Sequence, residues 1–385
     1  MTQAAALVYC TRCIFDSNTP SIHFDEQGIC NYCHMVDDLE NQYGTGKPEG
    51  DAQLRSIIEE IKQKGKGKKY DCVVGLSGGT DSSYMLAKAI EWGLRPLAVL
   101  YDNTWNSAIA TENIRKVTGQ LNTDLFTIVV DNKESDDIFK SFFYACVPEL
   151  DCATDIAIAE TLYRAASKYG VKYILEGHSF KTEGVAPLGN NYFDGKYVES
   201  IHKKYGKLRM KTFPNMPFLS FMKWILVKKI KKIRPYWYMD YSKEAARNYL
   251  QQTFSWEYYG GHHLENRLTA FLHTVWYPRK FNYDARNWSL SAAVRSGHMK
   301  REDALAEYLE PITPDPELVA YFKKRLGISA EEYERIMTGE KRTYREFKTY
   351  KKRFERLRPL FYLLARANLV PMSFYIKYTS KSEAA

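Results

Sequence analysis

The sequence lacks an apolar run long enough to cross a membrane as a helix. Its longest uncharged apolar stretches, such as residues 359–365, fall far short of the ~18 residues that a transmembrane helix needs. Residues 1–9 lack both a basic start and a long apolar stretch, so we expect no signal peptide and a cytoplasmic protein. The seven cysteines are an odd number. In a cytoplasmic chain that number argues against a disulfide framework.

The composition is that of a folded protein with a basic surface. A chain of 385 residues exceeds the ~100–200 residues of one ordinary domain. Hydrophobic residues make up 45% and charged residues 26%, which excludes a disordered chain. The net charge of +9 favours anionic partners such as nucleotides, sugar nucleotides, nucleic acid or an anionic membrane surface.

Strand and helix patterns alternate through the first half of the chain. Four short apolar segments are predicted strands: 71–76, 96–101, 126–131 and 171–176. The predicted helices are 54–64, 83–92, 112–121, 136–145, 155–169, 218–230 and 241–254. This alternation predicts an α/β fold with a parallel sheet that is covered on both faces.

The rest of the chain divides into loops and a mostly helical C-terminal region. Residues 44–51 read as a linker and 185–215 as a loop. From about residue 262 the sequence is mostly helical, with amphipathic stretches at 299–309, 315–325 and 344–368. We therefore predict three domains: a cysteine module over 1–40, the α/β domain over 50–265 and a helical domain over 266–385.

Four cysteines near the start have the spacing of a metal site. Cys10 and Cys13 form one Cys-x-x-Cys pair, and Cys30 and Cys33 form a second pair sixteen residues later. Each pair can place two thiolates on one ion, and two pairs complete a tetrahedron. We predict a structural zinc ion, and an iron–sulfur cluster is the alternative.

The segment 73–87 carries the strongest functional signal. A predicted strand runs into Ser77-Gly-Gly-Thr-Asp-Ser82 and then directly into a helix. The two glycines leave backbone amides accessible, so these amides, the serine hydroxyls and the helix N-terminus together predict a phosphate-binding loop. Asp81 would repel phosphate unless a cation lay between them, which predicts Mg²⁺ bound to pyrophosphate. A Walker loop is excluded, because it requires Gly-x-x-x-x-Gly-Lys followed by Ser or Thr.

This six-residue motif resembles the signature of the PP-loop ATP pyrophosphatases, which cleave ATP to AMP and pyrophosphate. The resemblance implies a sheet of the adenine nucleotide alpha hydrolase type. Glu183, which follows a Gly-His segment, is then implied as a second magnesium ligand beside Asp81. The sequence departs from the superfamily pattern at Tyr236, where the pattern has leucine. The implied contacts with ATP and pyrophosphate are Ser77, Gly78, Gly79, Thr80, Asp81, Ser82, Tyr101, Asp102, Asn103, Gly177 and His178.

Three further stretches resemble one family within this superfamily. They are Cys10-Thr-Arg-Cys13, Ile201-His-Lys-Lys-Tyr-Gly206 and Trp256-Glu-Tyr-Tyr-Gly-Gly-His-His-Leu-Glu-Asn-Arg-Leu-Thr269. They resemble the WbpG-like N-acetyl sugar amidotransferases of surface-polysaccharide biosynthesis, and the resemblance covers nearly the whole chain. It implies an enzyme of lipopolysaccharide O-antigen biosynthesis that uses ATP, Mg²⁺ and Zn²⁺.

The reaction implied by this resemblance converts an acetamido group to an acetamidino group. The substrate would be a UDP-linked N-acetylated sugar, in particular a UDP-linked diacetamido uronic acid. Adenylation of the amide oxygen makes AMP the leaving group, and ammonia then attacks. The resemblance also implies that a partner glutaminase and a cyclase-like barrel subunit supply the ammonia.

Residues of the late motif are candidates for the sugar site. We expect Glu265 to act as a general base toward ammonia, with Asp81 as the other catalytic residue. Candidate sugar-binding residues are His262, His263, Arg267, Lys203 and Lys211. A polar helix start and solvated lysines are the alternative interpretation of this set.

Two other functions remain open from the sequence. A PP-loop enzyme that thiolates tRNA would need a reactive cysteine outside the first four, and Cys72, Cys146 and Cys152 are available. A zinc-stapled scaffold would bind nucleotide without turnover. The basic segment 228–234 and the tail 344–377 are interpreted as solvated faces rather than nucleic-acid sites, and 228–234 can also add to the field around the nucleotide.

Overall fold

The computed structural model describes residues 7–185, 187, 191–261 and 264–380. Within these ranges one parallel sheet has the strand order β3-β2-β1-β4-β5. Its strands are β1 Cys72–Gly75, β2 Pro96–Asp102, β3 Leu125–Val129, β4 Tyr173–Leu175 and β5 Lys231–Ile233. The α/β fold is therefore confirmed, and the four predicted strands are all present.

The helices of the first half flank this sheet, and the second half is mostly helical, as predicted. Up to residue 254 the helices are α1 Asn31–Tyr43, α2 Pro48–Gly65, α3 Thr80–Glu91, α4 Ala108–Gln120, α5 Asn132–Ala145, α6 Cys152–Lys168, α7 Gly195–Tyr205, α8 Phe218–Met222 and α9 Lys243–Phe254. After it come α10 Arg267–Phe271, α11 Arg286–Arg295, α12 Arg301–Leu309, α13 Pro316–Leu326, α14 Ala330–Thr338, α15 Lys351–Arg356, α16 Arg358–Arg366 and α17 Met372–Thr379. Two π-helical segments, Lys223–Val227 and Leu272–Phe281, and two 3₁₀ turns, Pro235–Trp237 and Tyr344–Glu346, complete the described elements.

The order of the strands creates a crevice at the centre of the sheet. β1 is paired on both sides, so that Val73 lies opposite Leu97 of β2 and Ile174 of β4. The chain runs from β1 outward to β2 and β3, and then crosses through α5 and α6 to β4 on the other side of β1. Ligands of open parallel sheets bind beyond the carboxyl ends of the strands at such a reversal. The ends of β1 and β4 therefore position the site.

Buried side chains cover both faces of the sheet. On one face α3 and α9 bury Met85 and Leu250 in a core that includes Val74. On the other face α6 and α16 bury Leu162 and Phe361 against the sheet. A third, strongly aromatic core joins α5 and α7 to the C-terminal helices, and each face thus has the apolar layer that a parallel sheet requires.

Two segments that the sequence predicted to lack regular structure contain helices. The prediction of a linker over 44–51 is wrong for residues 48–51, because α2 begins at Pro48. The fixed φ of proline suits the first helical position. The predicted loop 185–215 contains α7, where the side chain of Asp194 caps the helix by accepting from the amide of Tyr197 at 2.7 Å.

Two predicted helices are broken into shorter pieces. Instead of one helix over 218–230 there is α8, a π-helical segment and then strand β5, so the basic segment 228–234 supplies an edge of the sheet. Instead of one helix over 344–368 there are a 3₁₀ turn, α15 and α16. The break before α16 coincides with Pro359, which cannot donate a backbone hydrogen bond to the preceding turn.

The cysteine module packs on the C-terminal region. Arg301 of α12 donates to the carbonyl oxygen of Cys10 at 2.9 Å and to that of Cys13 at 3.1 Å. Trp288 of α11 packs against the apolar residues of the module. Among the helices that the structure describes, none has the length and hydropathy to cross a membrane.

Candidate functional site

The loop after β1 has the geometry of an anion-binding turn. Gly78 has a φ of 81°, in the left-handed region, and Gly79 precedes the first turn of α3. The hydroxyl of Ser82 accepts from the amide of Ser77 at 3.1 Å. Trp256 donates its indole N–H to the carbonyl oxygen of Gly78 at 3.0 Å. The loop is thus fixed from both sides directly before the N-terminus of α3, and a glycine loop that leads into a helix N-terminus is an arrangement that binds phosphate.

A side chain at any of three glycines would close this space. A Cβ on Gly78 would lie 2.3 Å from the carbonyl oxygen of Ala110, and one on Gly177 would lie 2.6 Å from that of Asp81. A Cβ on Gly79 would approach the hydroxyl of Tyr259 to 3.1 Å. The clashes with backbone oxygens explain why Gly78 and Gly177 need to be glycine, and Gly79 leaves little space for a side chain.

Asp81 lies at the centre of a charged group. Its carboxylate pairs with the ammonium of Lys243 at 3.0 Å and accepts from the hydroxyl of Tyr241. Burial alone would lower the pKa of Lys243, but the charges of Asp81, Glu183 and Glu265 outweigh burial and raise it. The three carboxylates therefore share one lysine, and carboxylate oxygens are the ligands that Mg²⁺ prefers. The residues fit the predicted magnesium at Asp81 and Glu183.

Tyr236 has a defined place beside this group. Its hydroxyl donates to the backbone carbonyl of Asp81 at 2.8 Å, and its ring stacks on that of Tyr241 with 3.9 Å between centroids. The tyrosine that departs from the superfamily pattern thus holds the first turn of α3. Sequence reasoning noted Tyr236 only as a departure from that pattern, and it missed this role and that of Lys243.

The carboxyl end of β2 supplies two residues to the same cavity. Tyr101 and Asn103 line it, and the amide of Asn103 donates to the hydroxyl of Thr154 at 3.3 Å. Burial raises the pKa of Tyr101, so its phenol stays protonated. Asp102 points elsewhere, because its carboxylate accepts from the amide of Thr104 at 2.7 Å and closes the turn.

The end of β4 holds a buried ion-pair network. Glu176 pairs with Lys232 at 2.6 Å and with Arg234 at 3.1 Å. Burial would raise the pKa of Glu176, but the two cations lower it to about 2. Gly177 and His178 follow on the cavity wall, and the indole N–H of Trp237 donates to the Nδ1 of His178 at 3.2 Å.

One cavity of about 790 Å³ joins the loop to the C-terminal helices. Such a volume lies near the upper end of the roughly 300–1,000 Å³ of small-molecule sites. Ser77, Gly79, Asp81 and Ser82 line it. Residues of α6, the segment 191–193, the second π-helical segment, α11 and α17 also line it. The volume is therefore that of a small-molecule site.

The structure separates the residues that the sequence assigned to the sugar. Glu265 lines the cavity, and its carboxylate lies 3.2 Å from the position of a Cβ on Gly79. The guanidinium of Arg267 stacks over the ring of Tyr321 at 4.6 Å and does not line the cavity. Lys203 and Lys211 are exposed and do not line it either. His262 and His263 lie outside the described residues.

The four cysteines of the module form a closed sulfur site. All four are fully buried, and their sulfur atoms lie within 4.8 Å of one another. Three sulfur pairs are separated by 3.9 Å (Cys10–Cys33), 3.8 Å (Cys13–Cys30) and 3.6 Å (Cys30–Cys33). A tetrahedral zinc with Zn–S bonds of about 2.3 Å requires sulfur atoms about 3.8 Å apart. The residues therefore fit zinc.

Comparison with known proteins adds a family for the last third of the chain. Residues 265–358 match the family described as LPS biosynthesis protein WbpG-like, C-terminal domain. We call residues 265–358 the WbpG-like domain because of this similarity. This domain contributes Glu265, Asn266, His273, Tyr277 and Trp288 to the cavity wall, so it faces the phosphate-binding loop across one space.

Other similarities are more distant. The uncharacterized protein MJ1599 of Methanocaldococcus jannaschii is 28% identical over 173 residues, which are 44% of this chain and 58% of that relative. NMN synthetase from Francisella tularensis covers 73% of this chain and 95% of its own, at 12% identity and a TM-score of 0.32. The NH3-dependent NAD synthetase of Campylobacter jejuni covers 72% and 91%, at 15% identity and a TM-score of 0.30.

Proposed function

We propose that this protein is an ATP-dependent amidotransferase, a C–N ligase that converts an acetamido group of a nucleotide-linked sugar into an acetamidino group. Its substrate is a UDP-linked diacetamido uronic acid of lipopolysaccharide O-antigen biosynthesis. The products are the amidine, AMP and pyrophosphate. One observation carries the proposal: the phosphate-binding loop and the WbpG-like domain line the same cavity.

The loop residues would bind the phosphates of ATP. Backbone amides at Gly78 and Gly79 and the N-terminus of α3 attract negative charge. Asp81 and Glu183 would hold Mg²⁺, which when bound neutralises charge on the departing pyrophosphate. Lys243 lies between these carboxylates and supplies a second positive charge at the same place.

The chemistry proceeds in two balanced steps. The acetamido oxygen attacks the α-phosphorus of ATP, so that an O–P bond forms and pyrophosphate leaves. Ammonia then attacks the acetamido carbon, a C–N bond forms, and the C–O bond breaks to release AMP with that oxygen. Glu265 lies beside Gly79 at the loop end of the cavity and would take a proton from the attacking ammonia.

The positions of the cysteines favour this reaction over tRNA thiolation. Cys72, Cys146 and Cys152 are buried, and none of them lines the cavity. Burial raises the pKa of Cys72 and of Cys152, so both stay protonated and unreactive. A sulfur-transfer reaction would need a thiolate at the loop.

The same positions support the proposal of an external source of ammonia. Because no thiol lines the cavity in the part of the chain that the structure describes, this chain offers no cysteine nucleophile there for glutamine hydrolysis. We propose that a partner glutaminase and a cyclase-like barrel subunit deliver ammonia, and that the zinc of the cysteine module is structural because its four-sulfur site leaves no open position.

Isotope transfer tests the proposal directly. The purified protein would receive Mg-ATP, an ammonium salt and a UDP-linked diacetamido uronic acid whose acetamido carbonyl carries a heavy oxygen isotope. We expect the heavy isotope in AMP and in no other product, and strongly reduced AMP formation by the Asp81→Asn protein. Heavy oxygen that remained in the sugar while AMP accumulated would contradict adenylation of the acetamido group.

A further inference from the structure

The cations that line the cavity differ in how they are paired. Within the described residues, the lysine and arginine side chains on its wall are Lys232, Arg234, Lys243 and Lys377. The first two pair with Glu176, and Lys243 pairs with Asp81. Lys377 of α17 forms no ion pair with any described residue; its ammonium instead lies 4.8 Å from the centroid of the Phe193 ring and 5.8 Å from that of Tyr378.

The surroundings of Lys377 make an unpaired ammonium costly. Burial lowers the pKa of Lys377, and the charge of Arg234 acts in the same direction. Asp155, Cys152 and Glu149 act in the opposite direction without outweighing burial. Lys377 is half-buried, and a cation that is partly removed from water without a partner loses solvation free energy, which an anionic ligand restores.

The groups around Lys377 limit the negative charge that a ligand can carry at this place. Asp151 and Asp155 of α6 line the same end of the cavity as His273 and Tyr277 of the WbpG-like domain. Asn191 donates to the hydroxyl of Tyr277 at 3.3 Å. One ammonium facing two carboxylates suits a ligand with a single negative charge and several hydroxyl groups. A diphosphate would be repelled by the two carboxylates and would need more cations than this end offers.

We propose that Lys377 binds the carboxylate of the uronic acid substrate, with Asp151 and Asp155 accepting hydrogen bonds from its hydroxyl or acetamido N–H groups. This assignment rests on the proposed function and adds the residue that selects a uronic acid over a neutral sugar. The phosphate-binding loop lines the same cavity, and this assignment places the acetamido group between the loop and Lys377.

Calorimetry with a matched pair of ligands tests the assignment. A UDP-linked diacetamido uronic acid and its neutral counterpart, with CH₂OH in place of the carboxylate, would be titrated into the full chain. A hydrogen bond to a charged group predicts a preference for the acid of about tenfold or more. Lys377→Gln should abolish this preference, and Lys377→Arg should retain it. Lys352→Gln on the exposed face of α15 is the matched control.

The outcomes separate this inference from the proposed function. Loss of the preference in Lys377→Gln alone, with ATP binding and the melting temperature unchanged, supports it. A preference that survives Lys377→Gln, or equal binding of both sugars by the wild-type protein, overturns the role of Lys377 and leaves the amidotransferase reaction standing. If neither sugar binds the wild-type protein, both proposals are overturned.

Discussion

Substitution of Gly78 by alanine tests whether the phosphate-binding loop is as tightly enclosed as the structure shows. Alanine at a φ of 81° lies in the left-handed region, which costs about 1–2 kcal/mol. The new Cβ would also lie 2.3 Å from the carbonyl oxygen of Ala110, where ordinary contact begins at 3.4 Å. Overpacking of this kind adds about 1–3 kcal/mol. We expect a total loss of about 2–5 kcal/mol in the free energy of unfolding.

Gly67 provides a matched control for the backbone contribution. Its φ is 77°, and a Cβ there would meet nothing within 4 Å. Gly67→Ala should therefore lower the free energy of unfolding only by the cost of the left-handed backbone conformation, about 1–2 kcal/mol. The difference between the two variants isolates the steric clash at the loop.

Urea unfolding followed by tryptophan fluorescence measures both variants, and calorimetry with Mg-ATP measures binding. Gly78→Ala should lose ATP binding because the backbone must move to relieve the clash, whereas Gly67→Ala should bind ATP as the wild-type protein does. The reasoning is refuted if the two variants are equally stable, or if Gly78→Ala binds ATP normally.

Three further changes have defined expected results. Asp81→Asn should lower AMP formation by at least about a hundredfold, measured by chromatography with Asp303→Asn as an exposed control; normal turnover would favour a non-catalytic scaffold. Glu176→Gln should remove about 3 kcal/mol of stability at neutral pH, since a carboxyl with a pKa of about 2 rather than 4.5 stabilises the folded state above pH 4.5. This contribution is lost as the pH falls from 4.5 toward 2. In urea unfolding, the difference in free energy of unfolding between the wild-type and Glu176→Gln proteins should therefore shrink over that range. A constant difference would contradict the ion-pair network. Cys30→Ser should lower both the zinc content and the melting temperature, measured by mass spectrometry of the metal and by calorimetry; iron with visible absorption in the wild-type protein would contradict a zinc site.

The features that could be predicted from the sequence depend on residues that are close together in the chain. Strands β1, β2 and β4 are short apolar runs, because strands buried on both faces need apolar side chains throughout. The loop at Ser77–Ser82 and the four cysteines are recognisable for the same reason. Their spacing along the chain already fixes their geometry.

The features that escaped prediction depend on residues far apart in the chain. The sequence of β5 is Lys-Lys-Ile. This basic segment can join the parallel sheet because Lys232 pairs with Glu176, which directly follows the neighbouring strand β4. Lys243 meets Asp81 only after the chain has passed through α4 to α8 and four strands. Lys377 reaches the cavity from the last helix. Periodicity and local motifs carry no information about such pairings.

A mass spectrum of the reaction products tests the central claim most directly. The full chain would be incubated with Mg-ATP, an ammonium salt and a panel of UDP-linked N-acetylated sugars and uronic acids. The account predicts a sugar product lighter by the difference between an oxygen atom and an NH group, formed together with equal amounts of AMP and pyrophosphate. An unchanged mass for every sugar, with no AMP formed, would contradict it.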